Sequence, residues 1–125
     1  MSGGDYSATP LAKKLGVKEG SRLKVLGAPP SFPLTGRARA PVDVTVLFTA
    51  RRRELERRFP ALAAELARNG GLWIAYPKKA AREPTDLTFA SVQEIGLAGG
   101  LVDNKSCSID ETWTAVRFVR RREDR

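Results

Sequence analysis

The sequence predicts an α/β domain on a mostly parallel five-stranded sheet, sandwiched in three layers, with strand order 1-2-3-5-4 and strand 5 antiparallel to the first three. Three observations carry this prediction. Residues 42–49 (VDVTVLFT) and 71–76 (GLWIAY) are strand-forming runs with apolar side chains on both faces, as strands covered on both sides require. Between them Leu55, Phe59, Leu62, Ala63 and Leu66 draw an apolar stripe at helical spacing, so the two strands belong to a right-handed βαβ crossover. Finally, residues 101–109 alternate polar and semi-polar side chains, turn at Asp110, Glu111 and Thr112, and return as 113–119 (WTAVRFV), apolar on both faces. That hairpin puts its last strand inside the sheet and its first at the edge.

The remaining elements follow in order. Leu11, Leu15 and Val17 suggest one short helix, broken by Gly16 and Gly20. Residues 22–28 (RLKVLGA) read as the first strand, and the Pro-, Gly- and Arg-rich stretch 29–41 as a surface connection. The crossover helix is expected from about residue 51 to 69, kinked or restarted at Pro60 and stopped by Asn69-Gly70. Pro77 ends the third strand, and residues 78–84 form a polar loop. Thr88 caps a helix running through Leu97, with Phe89, Val92 and Ile95 on one side and Gly99-Gly100 as its breaker.

With 125 residues there is room for one domain, expected over residues 11–125 after a flexible, Gly- and Ser-rich stretch at 1–10. No apolar run approaches the roughly 18 residues of a membrane span, and residues 1–20 lack the apolar core of a signal peptide. A cytoplasmic protein with no membrane partner is therefore expected. Cys107 is the single cysteine and histidine is absent, which excludes an internal disulfide and removes the usual zinc ligands and the commonest general base. These absences weigh against an enzyme. A net charge of +8, from 22 Lys and Arg against 14 acids, gives a field that attracts polyanions, and solvated charge is the competing explanation.

The strand order, with its closing hairpin, resembles the C-terminal half of class I methyltransferase-like Rossmann folds. Residues 17–27 (VKEGSRLKVLG) are similar to the run into the first strand of those proteins, and 69–75 (NGGLWIA) to the run into their fifth. Nearly the whole chain, from Tyr6 onward, also resembles a family of short bacterial proteins classed as a domain of unknown function. That likeness rests on Gly27-Ala28-Pro29, residues 71–78 (GLWIAYPK), 84–88 (PTDLT) and 110–113 (DETW). It implies a Rossmann-like fold and carries no functional residue. The departures from the methyltransferase pattern matter more. Dinucleotide and S-adenosylmethionine sites need glycines where the first strand turns into its helix, and a later acid to hold a ribose. Here Gly27 is followed by Ala28, Pro29 and Pro30, and a loop at 32–41 replaces the strand that would bring the carboxylate. No cofactor is expected.

In open α/β sheets ligands bind beyond the carboxyl ends of the strands. Those ends are Gly27-Ala28-Pro29, Thr49 followed by Arg51, Arg52 and Arg53, and Pro77 followed by Lys78 and Lys79. Gly27, Thr49, Arg51, Arg52, Lys78 and Lys79 are thus candidates for an anion site, in which free backbone N–H groups at the helix start and basic side chains hold a phosphate or carboxylate. The competing reading leaves the arginines in water, offset by Glu54 and Glu56. Asp86, Asp110 and Glu111 lie where caps and turns want acids. Cys107 shares a face with Lys105, which would lower its pKa, although a lone cysteine is more often inert packing. Trp73 and Trp113 read as core anchors.

The expected function is a non-catalytic binding or interaction protein using this basic rim for an anionic, phosphate-bearing ligand, with a homodimer through a sheet edge or helical face as a compatible assembly. A nucleic-acid-associated protein and a degenerate S-adenosylmethionine-dependent transferase are the alternatives.

Overall fold

In the computed structural model, which describes residues 10–125, the two runs that are apolar on both faces lie at the heart of the sheet. The chain runs α1 (Pro10–Leu15), β1 (Leu23–Leu26), β2 (Val42–Phe48), α2 (Arg52–Ala64), β3 (Leu66–Pro77), α3 (Phe89–Ala98), β4 (Leu101–Ser108) and β5 (Trp113–Arg120), with a 3₁₀ turn at Arg122–Asp124. The sheet order is β1-β2-β3-β5-β4. β1, β2 and β3 are parallel, β5 is antiparallel to β3, and β4 is antiparallel to β5, as the sequence predicts. Of the stretch 1–10 expected to be flexible, only Pro10 falls within the described residues, and it begins α1.

Alternation along the strands sorts their side chains into two cores. On one face Leu47, Leu72, Ile74, Val116 and Phe118 pack under Leu55, Phe59 and Leu62 of α2 and Val92 and Ile95 of α3. Phe59 meets Phe118 edge to face at 5.5 Å. On the other face Val44, Val46, Phe48, Trp73, Ala75 and Ala115 lie under Ala12 and Leu15 of α1 and under Phe32 and Leu34. Trp73 fastens this thinner layer: its ring is fully buried, and its Nε1 donates to the Leu15 carbonyl at 2.9 Å.

Several expectations are corrected. The crossover helix ends at Ala64 rather than near Asn69, and residues 66–69 already belong to β3. Long-range bonds end it: Lys24 of β1 holds Glu65 at 2.8 Å, and the Arg120 guanidinium donates to the carbonyls of Ala63 and Leu66. The extra length of β3 is taken up by a bulge, because Val42 pairs with Leu66 while Val44 pairs with Gly71. Pro60 sits inside one continuous α2, without a restart, on the solvent side of a helix anchored by buried Phe59 and Leu62.

The stretch 29–41 is more than a surface connection. Val25 N donates to Gly36 O and Ala38 N to Leu23 O, each at 3.0 Å, so the segment bridges the free edge of β1 and buries Phe32 and Leu34. Phe89, expected on the buried side of α3, is 48% exposed, since Val92, Ile95 and Gly96 are the residues that face the sheet. Thr88 does cap that helix, accepting from the Ser91 amide at 3.1 Å while the Ser91 hydroxyl accepts from the Thr88 amide.

Candidate functional site

Because β1, β2 and β3 are parallel, Gly27, Thr49 and Pro77 open onto one end of the sheet, and the six predicted anion-site residues share that end. They are not equally free. Thr49 is buried; its hydroxyl donates to Glu54 Oε1 at 2.5 Å and accepts from the Arg51 amide at 3.2 Å. The first amide of α2, that of Arg52, is taken by Asp86 Oδ1 at 2.7 Å. Asp86 therefore caps α2 across the fold, placing a carboxylate of this chain where an outside anion would sit. Thr85 completes the closure by donating to the Ala50 carbonyl at 2.7 Å.

The Arg52 side chain turns away from the rim, to Glu94 of α3 at 3.0 Å and Glu56 at 3.1 Å. Those two hydrogen bonds, Glu94's first, raise its pKa. Arg51 is exposed and Arg58 lies 3.2 Å from Glu54. The arginines that follow β2 are thus divided between solvent and internal ion pairs.

The end of β1 carries a cavity of about 730 Å³, lined by Ala28, Pro29, Pro30, Phe32 and Arg37 among others. Gly27 has φ 71°, and a Cβ there would lie 2.7 Å from the Phe48 carbonyl oxygen. This glycine lets β1 turn closely against β2. The edge beside it, where a further strand would bring a ribose-binding acid, is held by residues 36–38, and no acid occurs between Ala28 and Pro41. The residues present do not fit S-adenosylmethionine.

The end of β3 is open as well. There a cavity of about 710 Å³ is lined by Tyr76, Lys78, Lys79, Thr88, Phe89 and Thr114, among others including Glu83 and Thr85. Lys79 is exposed, and Lys78 Nζ donates to Ser108 Oγ at 2.6 Å, which leaves further ammonium protons for a ligand. The Tyr76 ring is buried and its hydroxyl makes no hydrogen bond among the described residues; desolvation raises its pKa and keeps it a neutral donor. Of these lining residues the sequence points to Lys78 and Lys79 and does not single out Tyr76 and Phe89 as site residues. An aromatic directly after a helix cap, at the carboxyl end of a strand, was the available signal for Phe89.

The other singled-out residues are structural. Asp110 Oδ1 accepts from the amides of Thr112 and Trp113, both at 2.8 Å, and shapes the β4–β5 turn. Trp113 packs edge to face on Phe48 at 5.1 Å. Burial raises the Cys107 thiol pKa and outweighs the opposing pull of Lys14 and Lys105, so the expected lowering by Lys105 is present but does not prevail. Among the described residues no group of His, Cys, Asp or Glu is placed to hold a metal, and no helix is long and apolar enough to cross a membrane.

No family model and no curated protein matches the chain. Several solved structures do. LaPhzM is similar with a TM-score of 0.57 and 12% identity, over 95% of this chain and 48% of its own. The mitomycin 7-O-methyltransferase MmcR gives 0.55 at 12% identity, over 70% and 33%. The magnesium protoporphyrin IX methyltransferase ChlM from Synechocystis PCC 6803, with bound SAH, gives 0.52 at 12% identity, over 66% and 46%. The chain spans less than half the length of each of these proteins. Identity this low speaks for the fold alone. The sheet order and these neighbours together give the chain the Rossmann-like fold of class I S-adenosylmethionine-dependent methyltransferases.

Proposed function

We propose that the chain is a non-catalytic binding protein for a small anion with an aromatic or apolar body, taken up in the cavity between the end of β3 and the start of α3. The observation that carries this reading is the convergence of two lysines, a half-exposed phenylalanine and an unpartnered tyrosine hydroxyl on one cavity. Its volume of about 710 Å³ suits a small molecule. The site narrows to Lys78 and Lys79, while Thr49 and Arg52 are engaged by acids of this chain and Gly27 and Arg51 lie outside the cavity lining. Support for a binding role over a reaction comes from the lining: it holds no histidine or cysteine, and Lys78 donates to the Ser108 hydroxyl at 2.6 Å as an ammonium would. The same reading takes the chain as a cytoplasmic member of the short bacterial family that it resembles at residues 71–78 and 110–113.

A thermal-shift series with phenyl phosphate, benzoate, inorganic phosphate and sulfate tests this reading. Phenyl phosphate or benzoate is expected to raise Tm by several degrees near saturation, and more than inorganic phosphate does, since a ligand at about 100 Kd adds about 2.7 kcal/mol. Lys78→Gln with Lys79→Gln, or Phe89→Ala alone, should remove the shift, and Arg51→Gln should leave it. No shift in the series, or a shift that survives the lysine pair, would sink the proposal. A degenerate transferase is the second reading; only the fold favours it.

A further inference from the structure

On the sheet face that carries α1, away from the cavity, basic side chains gather. Lys105 of β4 stands opposite Arg117 of β5, and Arg117 stands opposite Trp73 of β3. The Arg117 side chain lies flat across Gly71: a Cβ on that glycine would overlap its Nε. Gly71 is the bed of this guanidinium. Arg125 reaches back to the end of β5, where its Nε donates to the Arg120 carbonyl at 3.0 Å. Its charge acts on Arg117, whose pKa is lowered first by burial and then by Arg125. Lys14, in the last turn of α1, and Lys105 both act on the Cys107 thiol, which places them around the same part of the face.

Among the described residues none of Lys14, Lys105, Arg117 and Arg125 forms an ion pair, whereas Lys24, Arg52 and Arg58 all do. A half-buried guanidinium without a carboxylate is costly, and a like charge beside it adds to the cost. An anion from outside would relieve both. Neighbouring strands are about 4.8 Å apart, so the cations form a spread array on an open face rather than the wall of a pocket. Such an array matches an anion whose charge repeats along its length. Stacking platforms are missing, because Trp73 is fully buried and Trp113 packs on Phe48.

We propose that this face binds the phosphodiester backbone of a nucleic acid, with Arg117 on Gly71 as the central contact and Lys14, Lys105 and Arg125 around it. The binding is independent of sequence, since phosphates position and bases specify. It stands apart from the cavity reading, and either can fail alone.

The test is fluorescence anisotropy of the full chain with a labelled single-stranded DNA of about 20 nucleotides, titrated over a salt series. Four phosphate contacts predict a slope of log K against log salt of about −3. Arg117→Gln should weaken binding about tenfold at low salt and flatten the slope by about 0.7, while Arg117→Lys keeps most of the affinity. Gly71→Ala should weaken binding with no loss of charge, and circular dichroism checks that it folds. Arg57→Gln, on α2 across the sheet, should bind as the parent does. The proposal is overturned if the chain does not bind, if Arg117→Gln leaves affinity and slope unchanged, or if labelled poly-glutamate binds more tightly than the DNA.

Discussion

Trp73→Ala is expected to leave the domain at the edge of unfolding. Trp73 is 0% exposed in the centre of β3, flanked on its face by Val46, Phe48 and Ala75 and covered by α1. Removing a buried indole costs about 3–5 kcal/mol, a large part of the 5–15 kcal/mol that holds a domain of this kind together. A second loss follows from the Nε1 bond to the Leu15 carbonyl, the buried side-chain hydrogen bond that fixes α1 to the sheet. Trp73→Phe keeps an aromatic ring and loses the bond, so it should cost roughly 1–2 kcal/mol and free α1 in particular. Urea unfolding followed by circular dichroism gives both values, and trypsin cleavage after Lys13 or Lys14 should accelerate in both variants. A loss below about 1 kcal/mol for Trp73→Ala would show that the α1 layer does not depend on this ring.

Gly36→Ala should cost about 2–4 kcal/mol, far more than a substitution in a solvated loop. A Cβ at Gly36 would overlap the Leu23 carbonyl oxygen, which is backbone and has no rotamer to yield. The segment would have to lift from β1, breaking the bonds between Val25 and Gly36 and between Ala38 and Leu23 and exposing part of Phe32 and Leu34. The freed edge of β1 is an open pairing surface, so concentration-dependent self-association should accompany the loss of stability. Light scattering and denaturant midpoints at two protein concentrations measure the two effects. A cost under about 0.5 kcal/mol would mean that residues 29–41 merely connect β1 to β2.

That segment also shows where the sequence stops being readable. The strands were legible because burial on both faces writes itself as continuous apolar runs at 42–49 and 71–76, and the terminal hairpin because its edge partner alternates. Nothing local in the Pro- and Gly-rich stretch 29–41 says that it folds back on β1, since its hydrogen bonds to that strand span more than ten positions. The end of α2 was hidden for a similar reason. Leu66 continues the helical stripe of Leu55, Phe59 and Leu62 and serves equally as the first buried residue of β3. The bonds from Lys24 and Arg120 decide between the two, while Gly70, which resembles a helix stop, instead lets β3 approach the Val42 carbonyl.

The candidate site was half legible. The rule that parallel strands open at their carboxyl ends named Lys78 and Lys79, which line the cavity at β3. It did not foresee that Asp86, 34 positions beyond Arg52, fills the start of α2. An acid at a loop position reads as a local cap, and its actual partner is another helix.

The central claim is that this Rossmann-like sheet lacks the features of an S-adenosylmethionine site beyond β1, where residues 29–41 replace a strand and its acid, and offers its binding cavity at β3. Equilibrium dialysis of the full chain with labelled S-adenosylmethionine tests it most directly. The expected result is no saturable binding up to about 1 mM, with the same sample still binding phenyl phosphate. Saturable binding of S-adenosylmethionine below about 100 μM, lost on substitution of residues around Gly27, would contradict the account.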